Sequence, residues 1–547
     1  MGQKWSGGTL AAEVLKREGA RCIFGIAGGH IYPLMEACEE RGIRYIGVRH
    51  EMTAAFMAEG WALTTGTFGI CTGTAGPGFT NLLTGLANAS NGGFPVLYMA
   101  GKARVSEYDR NELQDFNQMD MVTHVTKHAR SVLDTKRIPE YVGRAVAQCT
   151  TGRPGPVYLE IPRDLMEQEV DLDQVEFQDT YRTGSAPMGN PVDIEAAARL
   201  IGSAQRPILI AGGGVWWAQG QAALVAFAEK TGIPVFTRNA ARGAISDTHP
   251  LAVGIAASSS PLFSEALRQA DLAIIVGTRT GYTMTRDVFP KALPIIRIDV
   301  DPAQVTDQLD VKVGIVGDAR MVLGQLTAAV APADRSAWVV AIQGIKGNLV
   351  SMVMPLAMSD QTPVHPMRLM FEIMQRVDES TIVVIDGGDV ARWGNLVLPA
   401  TLPGGYPGII STSFGPLGVG IPYAMAAKLA HPEKKVILLT GDGAFGYGAM
   451  EYETAVRENL PFTAVILNDK TWGMIKRSEA KRTSAAKDFI GLDLPEVHYE
   501  KVIEALGGYG EFVRQPSDIG AAIDRAIQSG KPACVNVMTD PSIGPMF

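Results

Sequence analysis

The amino-acid sequence predicts an α/β fold made of three consecutive doubly wound parallel-sheet domains. The chain has 547 residues, which is too many for one hydrophobic core and indicates about three domains. Short β-rich runs alternate with helical patterns along the chain, as is typical of parallel sheets joined by crossover helices. A polar stretch at residues 169–190 has little periodicity and separates the first region from the second.

The alternation also gives the domain bounds. We predict a first domain over residues 1–175, a second over residues 190–335 and a third over residues 360–547. The predicted strands include residues 22–25, 45–48, 68–71 and 96–99, then 207–210, 234–236, 272–276 and 295–299, and finally 381–386, 435–440 and 462–467. Each is a short apolar run bounded by glycine, proline or polar residues, as buried strands are.

Composition excludes several classes of protein. Hydrophobic residues make up 46% and charged residues 19% of the chain, and no apolar run approaches the length that spans a bilayer. The net charge of -8 is spread along the chain, whereas nucleic-acid surfaces need clustered Lys and Arg. The five cysteines include no CxxC pair and indicate reduced thiols. We therefore expect a cytoplasmic enzyme with a small-molecule substrate, no nucleic-acid partner and no membrane partner.

A phosphate and metal site is predicted in the third domain. Gly441-Asp442-Gly443 follows an apolar strand, and a strand, glycine turn and helix together present backbone N–H groups to a phosphate. Asp469 follows the next strand, 27 positions later, so both carboxylates leave the carboxyl ends of successive strands. Mg²⁺ prefers six oxygen ligands. We expect its six ligands to be Asp442, Asp469, the carbonyl of Thr471, two diphosphate oxygens and one water.

This motif resembles the signature of the thiamine-diphosphate enzyme family, in which GDG is followed after some 25 residues by NN. The chain departs from it at Asp469, where the family most often has the second Asn; a carboxylate is still an oxygen ligand for Mg²⁺. The resemblance implies that thiamine diphosphate and Mg²⁺ are the cofactors. The cofactor-binding residues expected in the third region are Gly388, Asp389, Leu417, Gly441, Gly443, Ala444, Trp472, Gly473 and Met474.

The first domain carries the residues that resemble the catalytic half of the family. Glu51 follows a strand and precedes a helical run, where the family has the Glu that activates the cofactor. The resemblance continues in a glycine turn with Gly76, Pro77, Gly78 and Asn81, which we expect to contact the cofactor. It also implies a catalytic role for Gln114, placed as in acetolactate synthases and benzaldehyde lyase, and for His30, placed as a substrate-facing His in benzaldehyde lyase.

The resemblance covers the whole chain and implies pyrimidine-binding, central and pyrophosphate-binding domains. It also implies active sites shared between subunits, so we expect at least a homodimer and most simply a homotetramer. In the central domain, Gly212-Gly213-Gly214 follows a strand, but a glycine cluster without a full GxGxxG motif is weak support for a dinucleotide. We interpret it as a tight turn and expect a protein without flavin. For this domain, FAD, a CoA adenylate and no ligand are the alternatives.

The loop after the metal ligands bears on the reaction. Pyruvate decarboxylases resemble it but carry Glu in place of Ile475, and acetolactate synthases usually keep Trp in place of Ser478. The sequence therefore favours a lyase or carboligase that acts on 2-hydroxy ketones, 2-keto acids or 2-hydroxyacyl-CoA through a C2 carbanion. An acetolactate synthase and a 2-keto-acid decarboxylase remain alternatives. A non-enzymatic relative is disfavoured because Glu51, Asp442 and Asp469 occur together.

Overall fold

The computed structural model describes residues 3–281, 284–397, 409–410, 412–482 and 489–545, with the backbone alone at 396–397 and 409–410. These residues contain three six-stranded sheets in which every pair of neighbouring strands is parallel. The predicted fold of three parallel-sheet α/β domains is therefore confirmed.

The first sheet lies in the N-terminal region and has the strand order β3-β2-β4-β5-β7-β6. Its four inner strands are buried, with Phe24, Ile70 and Leu97 in the core, as parallel strands covered on both faces require. The elements of this region are β1 (Lys4–Ser6), α1 (Gly7–Arg17), β2 (Cys22–Gly25), α2 (Tyr32–Glu40), β3 (Arg44–Gly47), α3 (Glu51–Thr65), β4 (Gly69–Gly73), α4 (Pro77–Thr80), α5 (Leu83–Gly92), β5 (Val96–Lys102), α6 (Gln118–Val122), β6 (His128–Ser131), α7 (Ile138–Thr150), β7 (Val157–Pro162), α8 (Arg163–Glu167) and β8 (Glu169–Asp171).

The polar stretch at residues 169–190 is more ordered than a plain linker. Its first residues form β8, which pairs antiparallel with β1 at the chain's N-terminal end. Further along, the Tyr181 ring packs against Gly143 of α7, and Arg182 pairs with Glu18. Sequence periodicity missed these contacts because their partners are distant in the chain.

The second sheet lies in the middle region and has the order β11-β10-β9-β12-β13-β14. Strands β9 and β12 are fully buried at its centre. The elements are α9 (Pro191–Ser203), β9 (Pro207–Ala211), α10 (Gly213–Trp217), α11 (Gln221–Thr231), β10 (Val235–Thr237), β11 (Ala252–Ile255), α12 (Pro261–Gln269), β12 (Leu272–Val276), β13 (Ile295–Asp299), α13 (Pro302–Val305), β14 (Val313–Val316), α14 (Ala319–Ala329) and α15 (Ser336–Ala357).

Helix α15 is the one described helix that bears on the expectation about membranes. It is 22 residues long and, by length and composition alone, apolar enough to cross a bilayer. The helix is not an uninterrupted apolar run, because single polar residues such as Lys346 are scattered along it. One helix of this kind is weak support for a membrane segment, since helices of water-soluble proteins meet the same criterion.

The third sheet lies in the C-terminal region and has the order β16-β15-β17-β18-β20-β19. The order in which the chain adds strands changes direction between β15 and β17, and in the first sheet it changes direction between β2 and β4. Open α/β sheets bind ligands at such switch points. The elements are α16 (Pro366–Met374), β15 (Thr381–Asp386), α17 (Gly388–Val397), β16 (Ile409–Ile410), α18 (Gly420–Ala430), β17 (Lys435–Gly441), α19 (Asp442–Phe445), α20 (Tyr452–Arg457), β18 (Thr463–Asn468), α21 (Gly473–Arg482), α22 (Tyr499–Ala505), β19 (Tyr509–Val513), α23 (Ile519–Gln528) and β20 (Ala533–Met538).

The chain divides into two compact units that do not follow its linear order. The first unit combines residues 1–184 with 414–432 and 448–460, and the second holds the remaining residues. Helix α18 therefore belongs with the N-terminal region, where it packs along α3: a side chain at Gly60 would lie 2.9 Å from the Tyr423 Cα. Two pieces of the C-terminal region thus complete the N-terminal one.

Candidate active site

The first unit places Glu51 at the start of α3, which follows the edge strand β3. Its side chain is buried, and the Asn81 amide donates a 2.9 Å hydrogen bond to Oε2. The His50 ring nitrogen caps the helix by accepting from the Met52 N–H. Glu51 and Asn81, predicted separately from sequence, are therefore brought together, and a carboxyl held in this way can exchange a proton with a bound ring nitrogen.

The glycine turn at Gly76 fixes the wall next to Glu51. Gly76 has φ +63°, and a side chain there would lie 2.8 Å from the Gln114 Cβ, so only glycine fits. Pro77 begins α4, and Gly78 lies so close to Glu51 that an added Cβ would be 3.5 Å from Oε1. Two of the predicted turn residues, Gly78 and Asn81, thus lie beside the carboxyl group.

His30 and Gln114 meet through a residue that sequence reasoning missed. The Thr74 hydroxyl lies 2.9 Å from His30 Nδ1 and 3.4 Å from Gln114 Oε1. Burial and the nearby Arg163 lower the pKa of His30, so the imidazole is neutral at neutral pH and one ring nitrogen can donate to a carbonyl oxygen. Thr74 stands between a predicted strand and the glycine turn, and this position was its only signal in the sequence.

Gln118 and Glu451 accept hydrogen bonds from the backbone of these elements, and neither residue was predicted from the sequence. The buried Gln118 accepts from the Gly76 N–H at 3.2 Å and donates to the Tyr158 hydroxyl. The buried Glu451 accepts from the Arg49 N–H at 3.0 Å and from the His50 N–H at 3.1 Å. Both side chains therefore fix the backbone that carries the predicted catalytic groups. Leu417 lies in the same unit, half-buried in the loop before α18.

The second unit brings together the predicted metal ligands. Asp442 begins α19 after β17, and Asp469 follows the neighbouring strand β18. Burial and the Asp469 charge raise the pKa of Asp442 to about 7, and burial raises the pKa of Asp469 to about 6. Asp442 Oδ2 is buried and has no hydrogen-bond partner in the described part of the chain. Two crowded, buried carboxylates with an unused oxygen fit a divalent cation.

The segment after β18 closes over this group. The Thr471 N–H binds Asp469 Oδ1 at 3.2 Å, while the Thr471 hydroxyl donates to the Leu492 carbonyl. A side chain at Gly443 would lie 2.6 Å from the Trp472 ring, so glycine is required for the turn to approach the indole. The other predicted residues lie around them: Gly441 ends β17, Ala444 is buried in α19, Gly473 begins α21, and Gly388 contacts Met474.

Arg477 is the main residue of this half-site that the sequence did not predict. Its guanidinium pairs with Asp389, lies 3.7 Å from Asp469 Oδ2 and donates to the Pro541 carbonyl. The Arg477 side chain is mostly shielded from solvent, so it does not belong to a solvated helix face. Within the described residues, no group of three or more His, Cys, Asp or Glu side chains is arranged so that it could hold a metal ion. Oxygens of the diphosphate would therefore have to complete the coordination of a cation bound here.

The glycine cluster of the middle domain serves packing. Side chains at Gly212 or Gly214 would collide with Gly277 in the loop after β12, so two strand-end loops touch at their backbones. The Trp216 side chain is buried. These contacts agree with the interpretation of Gly212–Gly214 as a tight turn.

Two half-sites thus define a class of protein: an α/β enzyme with a buried glutamate beside a glycine turn and a paired-aspartate cradle for a diphosphate and a cation. Family models match all three regions, as the N-terminal TPP binding domain (residues 5–121), central domain (194–326) and C-terminal TPP binding domain (386–537) of thiamine pyrophosphate enzymes. The chain belongs to the thiamine pyrophosphate enzyme family, and it is a carboligase or a lyase that depends on this cofactor.

Full-length relatives agree with this assignment. A probable acetolactate synthase of Mycobacterium bovis is 34% identical over 544 residues, which cover 99% of this chain and 97% of that protein. A probable acetolactate synthase large subunit of Methanococcus aeolicus is 30% identical, with 98% and 92% covered. A 2-hydroxyacyl-CoA lyase of Oryza sativa subsp. japonica is also 30% identical, with 99% and 96% covered.

Proposed function

We propose that this enzyme makes or cleaves a carbon–carbon bond next to a carbonyl group, with 2-hydroxy ketones, 2-keto acids or 2-hydroxyacyl-CoA as its substrate class. When bound, thiamine diphosphate supplies an electron sink for the carbon that loses or gains a bond. The observation that carries the proposal is the buried Glu51 carboxyl, bound by Asn81 beside the Gly76 turn. Glu51 would hold and return the proton that activates the cofactor ring.

The side chains proposed to act on the substrate favour carbon–carbon chemistry over simple protonation. His30, Thr74 and Gln114 form a chain of neutral hydrogen-bonding groups, which can orient a carbonyl oxygen without delivering a proton to carbon. Ile475 is exposed on α21 and offers no acid. An acceptor carbonyl could therefore compete with a proton for the reacting carbon.

We also propose that Asp442, Asp469 and the Thr471 carbonyl bind Mg²⁺ together with the diphosphate. The raised pKa values of both carboxyl groups and the unused Asp442 oxygen support a cation here. We propose in addition a homodimer at minimum and a homotetramer as the working state, a cytoplasmic location, and the domain bounds 1–175, 190–335 and 360–547. Analytical ultracentrifugation of the purified enzyme with and without Mg²⁺ and cofactor tests the assembly.

The decisive experiment supplies donors and acceptors separately. Pyruvate or an aromatic 2-keto acid is given with and without an aldehyde acceptor, and benzoin and a 2-hydroxyacyl-CoA are given alone. We expect an acceptor-dependent ligation product or cleavage of one adduct, and neither in the Glu51→Gln variant. Free aldehyde as the sole product from every donor would replace this proposal with a 2-keto-acid decarboxylase.

Acetolactate synthase is the second candidate, and full-length similarity to proteins of that name favours it. Its test is the formation of acetolactate from pyruvate alone. Ser478 stands where acetolactate synthases usually carry Trp, and for that reason we place it second. A rate with two pyruvates that exceeds the rates with all other donor and acceptor pairs would reverse this order.

A further inference from the structure

The second unit places one cation against the carboxylates of its half-site. Arg477 leaves α21 one turn after Gly473, and its Nε donates to Asp389 Oδ2 at 3.1 Å. The same guanidinium reaches Asp469 at 3.7 Å. Its Nη1 also donates to the Pro541 carbonyl at 2.9 Å. One side chain therefore ties together the first turn of α17, which follows β15, and the loops after β18 and β20.

The charge count explains why a cation is needed there. Asp442 and Asp469 are the proposed metal ligands, Asp389 adds a third carboxyl group through its contact with Arg477, and a diphosphate adds further negative charge. The thiamine-diphosphate family most often has a neutral Asn where this chain has Asp469, so this chain carries one extra negative charge at the ligand position. Arg477 and Asp469 are both mostly shielded from solvent, and water screens such a pair less than an exposed one.

We propose that Arg477 is the counter-charge that allows a carboxylate to stand at position 469, and that it positions Asp389 and Asp469 toward the metal and diphosphate. This inference rests on the proposed function, because it assumes that Mg²⁺ and the diphosphate bind at Asp442 and Asp469. It assigns Arg477 a positioning role, since the guanidinium acts through the two carboxylates.

Three other basic residues near Arg477 have separate partners. Lys476 pairs with the exposed Asp493, Lys470 lies 4.0 Å from Glu496, and Arg482 pairs with Glu479. Lys476 is adjacent to Arg477 in sequence and carries the same charge. The Lys476→Gln variant is therefore a matched control that removes one positive charge without touching Asp389 or Asp469.

The test is a double-mutant cycle of wild type, R477Q, D469N and R477Q/D469N, with two binding measurements on each purified protein. Isothermal titration calorimetry measures the affinity for Mg²⁺ alone and the affinity for thiamine diphosphate at saturating Mg²⁺. In R477Q the uncompensated carboxylates should bind bare Mg²⁺ more tightly and repel the diphosphate, each by about tenfold. D469N alone should weaken the binding of bare Mg²⁺.

The double variant decides the question. If Arg477 compensates Asp469, R477Q/D469N returns both affinities to within about threefold of wild type, because the net charge is restored. Near-ultraviolet circular dichroism confirms that each variant is folded, and K476Q should match wild type in both titrations. If R477Q weakens both ligands and D469N does not rescue it, Arg477 binds the diphosphate directly and the counter-charge proposal is overturned. A wild-type protein that binds no thiamine diphosphate would overturn the proposed function as well.

Discussion

Glu51 is the residue on which turnover should depend most. Replacing it by Gln keeps the shape and the contact with Asn81 but removes the exchangeable proton. We expect turnover to fall by about 10²- to 10⁴-fold, with cofactor affinity nearly unchanged. Steady-state kinetics and calorimetry on the same protein measure both quantities. Near-normal activity of the Glu51→Gln variant would remove Glu51 from the catalytic machinery.

Asp442 should show the opposite pattern, because it is proposed to bind and not to react. Asp442→Ala removes one of two metal-binding carboxylates, so Mg²⁺-dependent affinity for thiamine diphosphate should fall below detection in calorimetry. Asp493→Ala is the matched control, since the Asp493 side chain is exposed and pairs with Lys476. Unchanged cofactor affinity in Asp442→Ala would place the metal elsewhere.

At this scale, the sequence predicted residues whose chemistry coincides with a strand end. Glu51, Asp442 and Asp469 each follow a short apolar run, and the rule that parallel sheets bind ligands at the carboxyl ends of their strands was sufficient to group them. Arg477 and Glu451 could not be predicted in this way. Their roles depend on partners that are 88 and 402 residues away in the chain, and no local pattern specifies such a pairing.

The position of the first turn of α3 depends on a side chain that is distant in the sequence. Glu451 binds two backbone N–H groups directly before Glu51, so its loss should let the helix start shift. We expect Glu451→Gln to lower kcat/KM by about 10- to 100-fold through misplacement of Glu51, while the unfolding midpoint changes little.

The control for this variant is Glu453→Gln, two residues further on. Glu453 is more exposed and pairs with Arg49 and Arg457, so kcat/KM should stay near that of wild type. The separation of kcat from KM distinguishes a positioning role from a loss of folding. Equal kinetics in the two variants would show that the hydrogen bonds of Glu451 do not determine where Glu51 lies.

Elements were predicted well where their signal is local. Predicted strands such as residues 22–25 and 272–276 coincide with β2 and β12, because a buried parallel strand is a continuous apolar run between breakers. Strand β8 was placed in a linker, since three residues paired at a sheet edge have no periodicity of their own.

The middle domain gives a prediction that needs no variant. We expect the purified enzyme to be colourless. The backbone of the loop at Gly277 occupies the space next to Gly212 and Gly214, and Trp216 is buried beside them. An absorption spectrum between 350 and 500 nm, roughly the range of flavin bands, measures this directly. A stoichiometric flavin spectrum would contradict the packing interpretation and would favour acetolactate synthase.

Across the whole molecule, stability should depend on the protonation of Glu59. This side chain is fully buried between Asn88 and Tyr423, and burial raises its pKa to about 8. The folded state therefore holds a proton that the unfolded chain releases above pH about 4.3. Stability is fully present below that pH and is lost as the pH rises toward 8, by about 3 kcal/mol at pH 7.

Glu59→Gln tests this dependence, because the amide cannot ionise. Between pH 5 and pH 8, the wild type should lose stability relative to the variant in urea unfolding followed by circular dichroism. Glu13→Gln, at a carboxylate that pairs with Arg17 and Arg41 near the surface, serves as the control. A constant difference between wild type and Glu59→Gln across this range would show that Glu59 is ionised in the folded protein.

The discontinuous first unit has a consequence for the order in which the chain matures on the ribosome. Helix α3 needs Tyr423 to satisfy Glu59 and Glu451 to hold its first turn, and both arrive more than 350 residues after the helix itself. The N-terminal sheet can pair early, since its strands are close in sequence. The face of α3 that receives α18 must wait until about four-fifths of the polypeptide has been translated. A nascent chain halted before residue 423 would expose that small-residue surface to chaperones and proteases, whereas one released after residue 460 would not.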